Sequence, residues 1–492
     1  MNLFLRLFLS TLLATLTGCT SILSSSTDSL PALIPTRNFV ADLNGSGAYQ
    51  ISPDGQRLMW VARLGLGPGL FVKNLQTGET HSYKTPGGGV WARDSRHILL
   101  HQSRYGDENT HVWALDTEKP NQQAQDLTPF AGAKSFLLRQ LPHSDDLIIS
   151  SNQREAKIFD VYRYMQATGE LQLQAHNPGN VVQWLVNDEG KVIGRARLEG
   201  VQSVFETPGP TTLDAWTPMF QVSYSDTFIP LAASSQAGHW WALSNRGRDK
   251  LALVEINLHD GRERVEHADD RVDLAGVRWS RLQKRPLAVV TDPDTQEWLA
   301  FDPTLKKALQ KLKGQTDARV ELSNMSDDER WMIATVIRHN GGQHVLYDLQ
   351  SQTFEVLAEL GRSRMNATSP LSHQQPITFK SRDGLDLHGY LSPPPGVPKP
   401  YPTVVYVHGG PWERDVHLSN DPEVPFLTNR GYAVLQVNYR GSSGYGKAFQ
   451  EAAKGEFAGK MHRDLTDAVE TLAAQGMVDP QRVAIAGTSY GG

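Results

Sequence analysis

At 492 residues, of which 39% are hydrophobic and 21% charged, the chain is too long for one hydrophobic core and too apolar for general disorder. Two to four globular domains are expected. A formal charge of −5 without a strongly basic stretch argues against nucleic acid as a partner, and without C-x-x-C or H-E-x-x-H spacing no metal or other cofactor is expected.

The first element is a leader. Residues 1–6 are short and weakly basic, residues 7–16 are rich in Leu, Phe and Thr, and Leu16-Thr17-Gly18-Cys19 precedes a Ser/Thr-rich stretch. This is the layout of a secretory signal, too short to span a bilayer as a stable helix. Its end resembles a bacterial lipobox, which implies export and lipid attachment at Cys19, the chain's one cysteine. Thr20 behind it favours the outer membrane, facing the periplasm or the cell surface. The alternatives are an ordinary signal or an uncleaved anchor. Residues 1–19 are thus read as signal and 20–37 as a flexible tether, and with Cys19 acylated no thiol remains for a disulfide.

From about residue 38 to 365 short β runs alternate with turns. A phrase recurs: a polar turn with Asp or Gly, a β run, a second turn, another β run. Ser52-Pro53-Asp54-Gly55 and Ala92-Arg93-Asp94-Ser95 open two copies; others start near Ser144, Asn187, Ser235, Ser280 and Ser326. A spacing of roughly 40–50 residues is the period of a four-stranded propeller blade. About seven blades are expected, stacked in a ring because none can bury its faces alone; a pair of β-sandwiches is the alternative. The tryptophans scattered through this region, Trp60 and Trp331 among them, are expected to pack between blades.

The texture changes near Pro376. Residues 377–391 read as two strands around Arg382-Asp383-Gly384. Apolar β-branched runs at 403–407 and 432–437 flank a short helix at 423–429. Leu465, Ala468, Val469 and Leu472 recur at helical spacing over 464–475, with Gly476 as its stop, and 482–486 reads as a third buried strand. Strands alternating with helices imply a parallel sheet in an α/β domain, residues 366–492.

Two glycine-rich motifs follow strands of that domain. Gly487-Thr488-Ser489-Tyr490-Gly491 has the G-x-S-x-G form of a nucleophile elbow, a sharp turn presenting a serine hydroxyl at the sheet edge. The glycines remove side chains that would clash there. His408-Gly409-Gly410-Pro411 follows residues 403–407 and fits the H-G-G-G type of oxyanion loop. Its backbone, with the N–H of Tyr490, would supply donors where negative charge develops on a substrate carbonyl. The triad order of an α/β-hydrolase is Ser, Asp, His, so His408, which precedes Ser489, is not expected to be the base. Arg440, in the glycine-rich stretch 438–446, either holds a carboxylate group of the substrate or forms a structural ion pair.

Asp383-Gly384-Leu385, Val407-His408-Gly409-Gly410-Pro411, Asn438-Tyr439-Arg440-Gly441-Ser442-Ser443-Gly444-Tyr445-Gly446 and Gly487-Thr488-Ser489-Tyr490-Gly491-Gly492 together resemble the prolyl oligopeptidase family of serine peptidases, most closely its branch of acylaminoacyl-peptidases and bacterial dipeptidyl-peptidases. The resemblance implies a propeller-gated hydrolase that admits oligopeptides, excludes folded proteins and uses a Ser-Asp-His triad. The H-G-G-P form, where some relatives place a tyrosine hydroxyl, puts proline specificity in doubt. By family order the Asp and His lie beyond Gly492. The hydrolase segment, about 115 residues against 200 or more for a large α/β domain, therefore reads as incomplete, exposing an edge strand and inactive by itself. An esterase using the same elbow, or a non-catalytic propeller that binds proteins, are the competing readings.

Overall fold

The computed structural model describes residues 32–40, 46–85, 87–103, 106–120, 122–209, 215–339, 341–360, 371–419 and 421–492. The expected signal and Cys19 lie outside them.

Among the described residues, seven antiparallel sheets form the propeller, each a meander of consecutive strands: 47–84, 90–126, 135–175, 181–222, 228–267, 274–300 and 319–359. These are blades 1 to 7. Every recurring turn found in the sequence falls between the first two strands of a blade. The chemistry of that turn explains the recurrence. In blade 1 the Ser52 hydroxyl donates to Asp54 Oδ1 (2.5 Å) and accepts from Arg57 N–H (2.9 Å), while Asp54 Oδ1 accepts from Gln56 N–H (2.9 Å). Blade 7 repeats it with Ser326, Asp328, Arg330 and Trp331. A Ser-x-Asp turn thus satisfies the backbone donors that a tight hairpin leaves over.

Blade 7 meets blade 1 without exchanging a strand. Asn324 closes the ring, accepting from Ile51 N–H (3.0 Å) and donating to Ile51 O (2.7 Å), and Tyr49, Ile51 and Leu58 pack against Ile333 and Leu346. Several tryptophans do seam neighbouring blades: Trp241 meets Trp279 edge-on at 6.1 Å, and Trp298 donates across to Val320 O (2.9 Å). One element escaped the sequence reading. Blade 6 has three strands, and helix α1 (Pro303–Lys313) follows them, capped by Asp302, with Leu305, Leu309 and Leu312 buried against blades 6 and 7. Its signal, an Asp-Pro start and apolar residues four and three apart, was legible but short.

Among the described residues the second domain holds five strands: β1 (Gln375–Lys380), β2 (Asp386–Ser392), β3 (Tyr401–Val407), β4 (Ala433–Asn438) and β5 (Val478–Gly487). Their order is β1-β2-β4-β3-β5, with β4, β3 and β5 parallel. The connections carry α2 (Glu423–Asn429), α3 (Lys447–Glu451) and α4 (Lys460–Ala474). Helix α4 begins a turn before the expected residue 464, because Met461 joins Leu465, Ala468 and Leu472 on the buried face against Leu435 and Val437. Each such leucine contributes roughly 1.5–3 kcal/mol by burial.

Two expectations are corrected. β5 is apolar but not buried along 482–486: Ile485 is 60% exposed. It pairs with β3 on one side, and no described residue pairs its other edge. Residues 32–39, read as the end of a tether and the start of the propeller, lie on the second domain instead. Ile34 N–H donates to Asn429 Oδ1 (2.8 Å), Arg430 donates to Ile34 O (2.8 Å), and Phe39 meets Phe426 edge-on at 5.5 Å.

The two domains share a polar seam. Lys447 pairs with Asp226 (2.6 Å), Asp249 caps Ala448 N–H (2.7 Å), and Tyr390 donates its hydroxyl to Asp294 O (3.1 Å). Val272 of the propeller joins the second domain's core.

Candidate active site

Parallel pairing of β3 with β5 sets Val407 opposite Gly487, so the segments that follow each strand emerge side by side at the carboxyl edge of the sheet. From β5 the chain turns sharply through Ser489–Gly491, a single 3-10 turn closed by Gly491 N–H to Thr488 O (3.1 Å). Ser489 has φ +59°, a left-handed conformation that costs a residue with a Cβ about 1–2 kcal/mol. The tightness of the turn dictates its glycines. A Cβ on Gly487 would lie 2.5 Å from both Val407 O and Gly491 O, and one on Gly491 would collide with the Val407 carbonyl. Gly491→Ala is therefore expected to push the elbow off β3 and slow fluorophosphonate labelling of Ser489 about 100-fold or more. Labelling at the wild-type rate would show that the turn tolerates a side chain.

The His408 loop runs directly beside Ser489. A Cβ built on Gly409 would be 3.4 Å from Ser489 Cβ and 3.9 Å from its Oγ. The His408 ring points elsewhere. Nδ1 lies 2.7 Å from Gly409 O and Nε2 lies 2.9 Å from Ser442 Oγ. Burial lowers the imidazole pKa; Nδ1 faces an acceptor-only carbonyl, and the Ser442 hydroxyl beside Nε2 donates its own proton to Tyr439 O (2.7 Å). Both nitrogens are occupied within the loop and its neighbour Ser442.

Tyr439 was quoted in a motif but given no role by the sequence. It is fully buried, its ring stacks on His408 at 4.4 Å and touches Tyr490 at 4.9 Å, and its hydroxyl donates to His408 O (3.0 Å). One side chain thus braces both segments expected to carry oxyanion donors. Burial raises its pKa, so the hydroxyl stays a donor.

Arg440 resolves into a structural ion pair. Its guanidinium is 5% exposed and forks onto Asp464 (2.9 and 2.7 Å) and Asp383 (2.9 and 2.7 Å), leaving no free face for a substrate carboxylate. Asn438 ties the same stretch to the loop after His408, accepting from Asp415 N–H (2.7 Å) and donating to Asp415 O (3.0 Å). Of that loop's side chains, Arg414 donates to the Tyr445 hydroxyl (2.8 Å), and Trp412 stands 67% exposed.

The model of the prolyl oligopeptidase family matches residues 418–492. The chain is 31% identical over 464 residues to dipeptidyl aminopeptidase BIII of Pseudoxanthomonas mexicana, covering 90% of this chain and 66% of that protein. It is 26% identical over 443 residues to dipeptidyl peptidase family member 6 of Caenorhabditis elegans, covering 82% and 59%. The chain therefore spans less than two thirds of the length of either relative. Among solved structures, a puromycin-hydrolysing peptidase of Mycobacterium tuberculosis superposes with a TM-score of 0.69 at 16% identity, over 94% of this chain and 76% of that one. At that identity the likeness concerns the fold.

Proposed function

This chain belongs to the prolyl oligopeptidase family, and on that premise we propose that the whole protein is a serine peptidase acting on oligopeptides, with Ser489 as its nucleophile. One observation carries the reading: Ser489, held at φ +59° on a glycine-walled turn, lies against the backbone of Gly409 at the carboxyl edge of parallel strands.

In the proposed reaction Ser489 Oγ attacks the scissile carbonyl carbon and passes its proton to the triad base. The oxyanion that forms accepts hydrogen bonds from Tyr490 N–H and from the backbone of His408, Gly409 and Gly410. Collapse expels the amine, which takes up the proton, and water then cleaves the acyl-enzyme. The triad Asp and His follow the nucleophile in the chain order of this fold, and we assign them to the portion of the relatives' length that these 492 residues do not span.

The names of the two relatives suggest a substrate with a free amino terminus, released two residues at a time. A panel of dipeptidyl nitroanilides, their N-acetylated counterparts and nitrophenyl esters tests this. The free dipeptidyl amides are expected to exceed the acetylated ones by about 100-fold or more in kcat/KM, because a site built to bind an ammonium group is left unpaired by the blocked substrate. Preference for the acetylated amides would instead indicate an acylaminoacyl-peptidase. Ester turnover without amide turnover would replace the peptidase reading with the esterase one.

A further inference from the structure

Far from the elbow in sequence, three metal-ligating side chains converge where blade 7 meets the second domain. Asp317 precedes the first strand of the blade, His339 follows its second strand, and His417 lies in the connection between β3 and α2. Asp317 Oδ2 is 3.4 Å from His417 Nδ1 and 3.8 Å from His339 Nε2. One donor atom from each residue lies within 4.8 Å of the other two.

The shortest of these separations is that of a coordination polyhedron and the others are longer. Ligand atoms about 2.0–2.1 Å from a tetrahedral ion are roughly 3.3–3.4 Å apart, so small side-chain movements close the set around one ion. The hydrogen bonding points the same way. His417 is 3% exposed, and its Nε2 is 3.2 Å from the Gln374 carbonyl, so Nε2 carries the proton and donates. Nδ1 is then the nitrogen that faces the Asp317 carboxylate, and without a proton it is an acceptor. Two acceptors facing each other need a proton or a cation between them. A proton serves one such pair, whereas His339 brings a second imidazole nitrogen to the same carboxylate oxygen, and one metal ion satisfies all three.

The surroundings hold the ligands in place, as metal sites require. Gln374, whose carbonyl fixes the His417 tautomer, is itself anchored: its Oε1 accepts from Leu418 N–H (2.8 Å) and its Nε2 donates to Gln436 (3.0 Å). The His339 ring is stacked on His373 at 3.6 Å. His339 and Gln374 also line a small cleft with Leu418.

We propose that Asp317, His339 and His417 form a binding site for a first-row divalent transition ion of the Zn2+ type. The ion would join the last propeller blade to the catalytic domain. Two imidazoles and one carboxylate select such an ion over Mg2+ or Ca2+, which prefer all-oxygen sites. The sequence held no sign of it, because the ligands are 22 and 78 residues apart and belong to different domains.

The test is metal binding by the metal-depleted protein: Zn2+ titrated against a chromophoric chelator, and Co2+ titrated by its visible absorption. The expected result is one ion per chain, tetrahedral Co2+ bands, and a rise in Tm with Zn2+. In Asp317→Asn and His339→Ala the affinity should fall tenfold or more and the Tm response should vanish. Asp317 is exposed, so Asp317→Asn carries the test even if the His339 variant folds poorly. Absence of stoichiometric binding, or binding unaffected by both substitutions, overturns the proposal and leaves an ordinary His417–Asp317 ion pair.

Discussion

Ser489→Ala is expected to abolish covalent labelling by a fluorophosphonate and to lower peptide turnover by roughly 10⁴-fold or more in the whole protein, with thermal stability unchanged. The size follows from the atom removed: without Oγ no acyl-enzyme forms, and only oxyanion stabilisation and binding remain to assist direct attack by water. The unchanged stability follows from the backbone. Ser489 already carries a Cβ at φ +59°, so alanine adds neither strain nor bulk, and the burial of the surrounding strands is untouched. Residual labelling in the variant, or turnover within tenfold of wild type, would move the nucleophile to another residue. A collapse of Tm would instead make Ser489 a structural residue.

The largest expected effect on folding lies at Arg440. Arg440→Met should destabilise the second domain by about 3–5 kcal/mol, read as a shift of its urea transition. Breaking a buried pair by removing one partner leaves the other charge uncompensated. Here that charge is Asp464, whose side chain is 0% exposed and whose carboxyl burial pushes upward while Arg440 opposes the rise. Asp383 is held well below the usual carboxylate range, first of all by its bond to Arg440.

The pH dependence should change accordingly. In the wild type the depressed Asp383 contributes stability that is present above the unfolded carboxylate pKa, near 4, and is lost as pH falls. In Arg440→Met that contribution weakens. Asp464, with its pKa raised further, then contributes stability below about pH 4 that is lost as pH climbs through its folded value. The variant should therefore lose less stability than the wild type on acidification. Arg440→Met combined with Asp464→Leu should recover much of the loss, since replacing both charges removes the buried anion. A cost under 1 kcal/mol for the single variant, or no recovery in the double one, would refute the network's role.

Much of the architecture was legible in the amino-acid sequence, for a physical reason. A blade repeats because the turn of its first hairpin needs local side-chain hydrogen bonds, written in blades 1 and 7 as Ser-x-Asp within six residues, at 52–57 and 326–331. Helix α4 is marked by apolar residues at helical spacing with Gly476 behind it, and strand β3 by a continuous apolar, β-branched run. The elbow is set by residues 487–491 themselves, since glycine is needed wherever a Cβ would strike the neighbouring strand.

Other features had no local cause. Tyr439 braces His408 and Tyr490 only because β3, β4 and β5 lie side by side. Arg440 could be read as gripping substrate until Asp464 and Asp383, 24 and 57 residues away, occupied its fork. Likewise, Asp317, His339 and His417 meet only because blade 7 is docked on the second domain. The sequence by itself determined most of the strands and turns and singled out Ser489, because those follow from interactions between near neighbours in the chain, while the short helix α1 escaped it. Which side chains brace, neutralise or share a ligand was decided by the tertiary structure, because such contacts form only after packing brings distant residues within a few ångströms.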